Sequence, residues 1–455
     1  MKLKFLNHAT IIGLCFALIQ QIIVASSTVM IINLSQSIVS GEGYKLWLIL
    51  FIFSLTIVYI PTTLTNYFTN KAKYITYADF INKFSNEAYN HLNHFFNSSF
   101  KEEKEAYFTH ESWLIIQEDY NFFLDMFSLI LNVGLNVAAL SYFLNSAFLI
   151  SYICAIPLTI LCVIVSKSKI QRWSDKLQKS RSEMMQTLGS GWDTVLIGNL
   201  WNVSIWKDNF IKKWSKSNRS QRRLTLDIDI ASMVTLIVSA LPILIVLFIS
   251  FSKAIGDIKM FAVLVSTTQR QVITIQNLSE TINLFVNLND KIRRTKQLSA
   301  KLNFNEPLSS SGKISWGNVY ITKEAKTSIL NNFDDLIAFT DNFKSGRYTI
   351  TGDNGSGKTT LLAKIKINLK DEAYMLPNQS KMMFLNEFNI KEFSTGEKMI
   401  ENLKEITLNV CETNVSVLLL DEWNANLDKD NINKLNKIID EISIKFCVIE
   451  VLHKI

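Results

Sequence analysis

The feature that most limits the folds open to this chain is a set of long apolar runs in its N-terminal part. Five runs are nearly continuous, at residues 9–38, 44–68, 121–143, 146–166 and 229–252. A helix rises about 1.5 Å per residue, so each run is long enough to cross a hydrocarbon layer about 30 Å thick. The pattern therefore predicts α-helices that span a membrane.

A sixth run, residues 257–288, is less apolar than the other five. Polar side chains follow its apolar start, namely Thr267, Thr268, Gln269, Arg270 and Gln271. A helix that lines a water-filled cavity has this composition, so we predict a sixth span here. The candidates for such a cavity are Gln20, Gln21, Asn132, Asn136, Gln269 and Arg270. The alternative is that these side chains hydrogen-bond to one another between packed helices.

The charge distribution predicts the orientation in the membrane. The chain has a net charge of +7, with 48% hydrophobic and 19% charged residues. Basic residues concentrate between the fourth and fifth runs, at Lys167, Lys169, Arg172, Lys176, Lys179, Arg181, Lys207, Lys212, Lys213, Lys216, Arg219, Arg222 and Arg223. The positive-inside rule places this loop, the N-terminus and the C-terminal part in the cytoplasm. No basic and aromatic recognition motif accompanies them, so we expect no nucleic-acid partner.

The spacing of the runs predicts the domain organisation. The loops after the second and fourth runs have about fifty to sixty residues, too many for simple turns, so we expect membrane helices that continue into the cytoplasm. The Pro- and Ser-containing residues 301–314 are typical of a linker. We therefore predict a six-span α-helical membrane domain at 1–300 and a second domain of short strands and helices at 315–455.

The strongest chemical signal lies in the second domain. An expected strand at 347–351 precedes Gly352, Asp353, Asn354, Gly355, Ser356, Gly357, Lys358, Thr359 and Thr360, and a helical pattern follows them. This is the G-x-x-x-x-G-K-T phosphate loop in its strand–loop–helix setting. Its backbone N–H groups and the helix N-terminus bind phosphates. Lys358 is predicted to reach the β- and γ-phosphates of ATP, and the Thr359 hydroxyl to bind Mg²⁺.

A pair of acidic residues follows a second apolar strand. Residues 417–420 are four consecutive apolar residues, typical of a buried parallel strand, and Asp421 and Glu422 come directly after them. Asp421 is predicted to hold Mg²⁺, and Glu422 to orient and activate the attacking water.

Together these motifs resemble those of ABC transporters. Phe393–Glu397 is similar to the family's signature motif, which implies ATP-binding roles for Ser394 and Gly396. Residues 425–428 resemble its D-loop, which implies an ATP-binding role for Asp428. The resemblance also implies a catalytic switch histidine at His453, and a Q-loop glutamine at Gln379 that contacts nucleotide and Mg²⁺.

The resemblance implies a homodimer, because in the family the signature of one subunit completes the ATP site of the other. It also implies a P-loop α/β nucleotide-binding domain, here shortened, since Ser394 follows Lys358 after only 36 residues. Thr395 in the signature motif and Trp423 directly after Glu422 form a combination that resembles the motifs of bacterial exporters of cyclic peptides, siderophores and microcins.

The function expected from this resemblance is ATP hydrolysis that drives export of a small molecule or peptide. The cofactors would be ATP and Mg²⁺, and the location the bacterial cytoplasmic membrane. Two alternatives stay open. One is an importer of similar architecture for a peptide or vitamin. The other is a nucleotide-binding sensor or immunity protein with little turnover, which the shortened domain favours and the intact motifs disfavour.

Overall fold

The chain forms two compact units in a computed structural model that describes residues 3–89, 91–92, 100, 104–105, 107–189, 191–304, 314–324, 326–377, 382–384, 395–410, 414–425 and 427–452. The helical unit contains Met1–Lys83 and Thr109–Leu302. The α/β unit contains Phe84–Phe108 and Asn303–Ile455.

Helices, most of them long, make up the helical unit. They are α1 (His8–Ser40), α2 (Tyr44–Ile57), α3 (Tyr59–Tyr89), α4 (Ser112–Phe143), α5 (Ala147–Gly189), α6 (Gly191–Ile197), α7 (Leu200–Lys253) and α8 (Ile258–Ala300), with a π-helical turn at Tyr107–Glu111. The end of α3 and the start of the π-helical turn lie in residues of the α/β unit. Helix α7 has 54 residues, which correspond to about 80 Å, far more than a hydrocarbon layer of about 30 Å. Helices α5 and α7 continue through the basic loop as predicted, and the location of that loop in the cytoplasm stays a prediction.

Side-chain and glycine caps set the helix boundaries. The Asn7 side chain accepts a hydrogen bond from the Thr10 backbone N–H at 2.9 Å, which begins α1. Gly41 ends α1 in the left-handed conformation, and its N–H donates to the Ser37 carbonyl. Asp257 caps α8 by accepting from two backbone N–H groups of its first turn. Such caps satisfy donors and acceptors that have no partner inside the helix.

Five helical stretches among the described residues are long and apolar enough to cross a membrane. They are His8–Ser40, Tyr44–Tyr89, Ser112–Phe143, Ala147–Ile197 and Leu200–Lys253. Large apolar side chains such as Ile49, Ile153 and Phe248 point outward from them. An exposed apolar surface of this extent suits contact with lipid rather than water.

The sixth run forms helix α8, which belongs to the same bundle. Ile275 and Leu278 of α8 are buried in one cluster with Val137, Tyr152 and Ile243 from α4, α5 and α7. Helix α8 is not apolar enough to belong to the five stretches that could cross a membrane, so a sixth span at α8 stays a prediction.

The α/β unit is built on one mixed sheet. Its strands are β1 (Val319–Lys323), β2 (Lys326–Ile329), β3 (Gly346–Gly352), β4 (Ala373–Leu376), β5 (Val417–Asp421) and β6 (Cys447–Val451), in the order β2-β1-β3-β6-β5-β4. Strands β3, β6, β5 and β4 are parallel, whereas β1 pairs antiparallel with β2 and β3. Its helices are α9 (Phe333–Phe339), α10 (Lys358–Leu369), α11 (Thr395–Val410) and α12 (Lys429–Ser443), with a 3₁₀ turn at Lys370–Glu372.

The sheet is buried on both faces at β5 and β6, as the unbroken apolar run of β5 predicts. Successive side chains of a strand point to opposite faces. Val417 and Leu419 accordingly pack in the cluster that includes Leu361 of α10, whereas Leu418 packs in the cluster that includes Leu435 of α12. Hydrogen-bonded pairing sets the register of the parallel strands, and their common direction brings their carboxyl ends to one edge.

Candidate functional site

The candidate site lies where three neighbouring parallel strands end. Strand β3 ends at Gly352 and β5 at Asp421, and β6 lies between them. Val451 of β6 is in register with Asp421 on one side and with Ile350 on the other. Loops that leave the carboxyl edge of a parallel sheet at such a point form the usual ligand crevice of α/β proteins.

The loop from Gly352 to Lys358 connects β3 with α10 in a tight, inward turn. Gly355 and Gly357 have φ of 82° and 93°, in the left-handed region that glycine adopts without steric penalty. The Ser356 N–H donates to the Asp353 carbonyl at 3.1 Å, and Gly357 caps α10. The loop therefore leads directly to a helix N-terminus, where backbone N–H groups favour an anion.

The Lys358 ammonium lies across the mouth of this loop. Its Nζ donates to the carbonyl oxygens of Gly352 and Asp353, both at 3.0 Å. A pocket of about 280 Å³ opens beside it, lined by Thr351, Gly352, Asp353, Asn354, Lys358, Glu422 and Leu452. The structure thus brings the predicted loop and Glu422 to one pocket.

Thr359 and Asp421 meet next to this loop. The Thr359 hydroxyl donates to Asp421 Oδ1 at 3.0 Å, and Asp421 is only 5% exposed. A hydroxyl and a carboxylate side by side offer the oxygen ligands that Mg²⁺ prefers. No group of three or more His, Cys, Asp or Glu side chains that could hold a metal occurs in the described part of the chain. A cation at this pair would therefore need further oxygen ligands from water or from a bound phosphate.

Glu422 has an unusual backbone conformation. Its φ is 45°, in the left-handed region that non-glycine residues rarely adopt. The Glu422 N–H donates to the Val451 carbonyl at 2.9 Å, and the Glu422 carbonyl accepts from the Ala425 N–H. These bonds hold the residue at the end of β5, on the wall of the pocket.

Gly396 and Asp428 form a separate group and do not line this pocket. Asp428 caps α12, accepting from the Asn431 backbone N–H at 2.7 Å and from Asn431 Nδ2 at 3.0 Å. A side chain at Gly396 would lie 2.5 Å from Asn431 Nδ2, so the start of α11 packs tightly on the start of α12. Ser356 is buried, Thr360 follows Thr359 on α10, and Gln379, Ser394 and His453 lie outside the described residues.

Three of the six predicted polar residues of the helical unit, Gln21, Asn132 and Asn136, bond to one another. Asn132 donates to Gln21 at 2.8 Å and accepts from Asn277 at 2.7 Å. Asn136 accepts from Thr28 at 2.7 Å and is 1% exposed. These bonds fit the second of the two interpretations, polar side chains satisfied between packed helices. Arg270 donates to Ser27 at 2.8 Å, while Gln20 is half-buried and Gln269 exposed.

A polar pocket lies elsewhere in the helical unit, among side chains that we did not predict. It has a volume of about 440 Å³ between α5, α7 and α8. Its polar lining comprises Ser166, Lys167, Gln171, Ser174, Asp175, Ser232, Thr235, Asn283, Asn287 and Arg293. The only sequence signal for it was the low apolarity of the sixth run, which contains Asn283 and Asn287.

The buried residue Glu450 was missed near the site, and so was its contact with Trp423. Glu450 is a charged residue within the otherwise apolar strand β6, and it is 1% exposed. Trp423 follows Glu422, and its indole N–H donates to Glu450 at 2.8 Å. A carboxylate inside an apolar strand is a signal that a buried partner must exist, although the sequence does not say which one.

No known family model matches this chain, and a comparison with curated proteins gives no match. The interpretation of the site therefore depends on its motifs and geometry.

Proposed function

We propose that this chain is one half of a homodimeric, ATP-driven exporter in a cytoplasmic membrane. In this proposal the α/β unit binds and hydrolyses ATP, and the helical unit carries a small molecule or peptide. The observation that supports it most is the meeting of the 352–358 loop and Glu422 at one pocket, with the Thr359–Asp421 pair beside it. The five apolar helical stretches support the membrane part of the proposal.

The loop would bind the phosphates of ATP. Backbone N–H groups of residues 353–358 and the N-terminus of α10 provide donors and a partial positive charge. The Lys358 ammonium, which lies 3.0 Å from two loop carbonyls, would neutralise phosphate oxygens in the adjoining pocket. The strong negative charge of a triphosphate would match this positive surface.

Thr359 and Asp421 fit a magnesium site by the chemistry of their oxygens. The hydroxyl and the carboxylate lie 3.0 Å apart, and Mg²⁺ prefers such hard ligands together with water and phosphate oxygens. When bound, Mg²⁺ would neutralise charge on the phosphate oxygens. Thr359 and Asp421 would keep that charge beside the loop.

Glu422 would act as the general base. Its carboxylate would accept a proton from a water that attacks the γ-phosphorus, and the bond from that phosphorus to the bridging oxygen of ADP would break. The products are ADP and inorganic phosphate. A general base supplies typically 10²- to 10⁴-fold of rate.

The helical unit would use the energy of the ATP cycle to change the side of the membrane to which its transport cavity opens. Binding of ATP favours a closed dimer only if ATP binds that state more tightly than the open one. Helix α7, at about 80 Å, would carry movement between the cytoplasmic and membrane regions.

The test is ATP hydrolysis by the purified full-length protein in lipid nanodiscs. We expect the wild type to hydrolyse ATP, and Glu422→Gln to lower kcat by about 10²- to 10⁴-fold with ATP binding retained. Glu441→Gln is the matched control, because Glu441 is exposed on α12 away from the pocket. A wild type without hydrolysis, or a Glu422→Gln variant as active as wild type, would overturn the proposal.

A further inference from the structure

Glu450 is a buried carboxylate with hydrogen bonds to both of its oxygens. Arg347 donates to it twice, from Nε to Oε1 at 2.8 Å and from Nη2 to Oε2 at 2.9 Å. Thr349 Oγ1 donates to Oε1 at 3.0 Å, and Trp423 Nε1 donates to Oε2 at 2.8 Å. A buried charge is tolerated only when it is paired and hydrogen-bonded in this way, so these four residues must keep their relative positions.

Arg347 extends this network to a helix. Its Nη1 donates to Asp440 and its Nη2 to Asn436, both at 2.7 Å and both on α12. Burial acts to lower the pKa of the Arg347 guanidinium, but the bonds and charges of Glu450 and Asp440 outweigh it and raise that pKa. The cation is thus permanent, and it joins β3 and β6 to α12.

Trp423 is the member of the network nearest to the candidate site. It follows Glu422 directly, is 5% exposed, and packs among Leu420, Leu435 and Ile439. Its indole N–H can donate only to an acceptor in the plane of the ring, so the bond to Glu450 fixes the orientation of the side chain as well as its position.

Glu422 needs such support because its backbone is strained. A left-handed conformation is unfavourable for a residue with a Cβ, and it persists only where neighbouring contacts impose it. Two contacts meet here on consecutive residues of β6. The Glu422 N–H donates to the Val451 carbonyl at 2.9 Å, and Trp423 donates to the Glu450 side chain.

We propose that Trp423, held by Glu450 and Arg347, is a positioning residue that keeps Glu422 turned toward the pocket. This inference rests on the proposed function, since it assigns Trp423 a part in ATP hydrolysis. Glu422 contacts the reacting water, and Trp423 acts only through Glu422.

The test is Trp423→Phe in the full-length protein in nanodiscs, which retains an aromatic ring and removes the N–H donor. We expect kcat for ATP hydrolysis to fall by about 10- to 100-fold while KM stays nearly unchanged, because a small displacement of a reacting group has that effect. Trp316→Phe is the control, since it makes the same change in the other core cluster of the α/β unit.

Hydrogen exchange of the backbone is the second measurement, and it does not depend on hydrolysis. In Trp423→Phe we expect the Glu422 and Ala425 amides to exchange about tenfold faster or more, without a matching change in strands β1 and β2. Such a local change would show that Trp423 holds Glu422 even if the wild type proved unable to hydrolyse ATP. That outcome would overturn the proposed function and the part in hydrolysis that rests on it, but not the positioning of Glu422. Three results would overturn the inference. The first is unchanged exchange at the Glu422 amide, and the second is faster exchange throughout the α/β unit. The third is faster exchange at Glu422 alone with an unchanged kcat in an active enzyme.

Discussion

Replacing Gly352 with alanine should disturb the phosphate loop through a steric overlap with the neighbouring strand. An ideal Cβ at Gly352 would lie 2.5 Å from the Asn318 carbonyl oxygen and 2.9 Å from Ser356 Oγ. Ordinary contacts between heavy atoms lie near about 3.5 Å, so the overlap with the carbonyl is about 1 Å. That carbonyl belongs to the backbone just before Val319, which pairs with Gly352 in the antiparallel β1–β3 ladder.

The size of the effect follows from the way the overlap is relieved. Inserting a methyl group into a well-packed position costs about 1–3 kcal/mol. The β1 backbone is held in the ladder, so the loop is expected to move, and that movement would strain the hydrogen bond of 2.9 Å from the Ser315 N–H to the Ser356 carbonyl. If ATP binding requires the original loop conformation, the binding free energy weakens by this amount. The Kd for ATP then rises about 5- to 150-fold.

The assay is a titration of the full-length variant with a fluorescent ATP analogue. Gly134→Ala is the control, because nothing lies within 4 Å of a Cβ at that position on α4, and its Kd should equal that of the wild type. A Gly352→Ala variant that binds the analogue as tightly as Gly134→Ala would refute the steric reasoning.

Two further predictions concern single side chains of the α/β unit. Thr359→Val removes the hydroxyl that donates to Asp421. The affinity for ATP should therefore weaken about tenfold in the presence of Mg²⁺ and stay unchanged in EDTA. Equal weakening under both conditions would contradict a role of Thr359 in binding magnesium. Burial raises the pKa of the Cys447 thiol to about 12, so at pH 8 it stays protonated and unreactive. Iodoacetamide should then modify Cys447 only after denaturation, as measured by mass spectrometry of its peptide, and rapid labelling of the folded protein would contradict its burial.

Much of the fold was predictable because its patterns are local. The apolar runs predicted the helical stretches, and the long basic loop was correctly expected to continue them, as α5 and α7 do. The four apolar residues before Asp421 likewise form a buried parallel strand. Each of these depends on a residue's own neighbours along the chain, which a sequence displays directly.

The site was predictable only in part. The loop glycines, Lys358 and Thr359 follow one another in sequence, and a motif records their order. Gln379, Ser394 and His453 lie outside the described residues, so their roles stay predictions. The polar residues of the helical unit had two interpretations that composition did not separate, and only the bonds of Asn132 and Asn136 favour packing between helices.

The amino-acid sequence by itself determined the apolar helices, the buried strand before Asp421 and the glycine-containing loop between a strand and a helix, because backbone geometry and hydrophobic spacing act over a few residues. Only the tertiary structure decided which buried groups meet. Arg347 and Glu450 are 103 residues apart in sequence, yet adjacent strands bring them to 2.8 Å. Trp423 reaches the same carboxylate because the sheet order places β6 beside β5. Contacts of that kind depend on chain crossings that no local pattern records, and they support the conformation of Glu422.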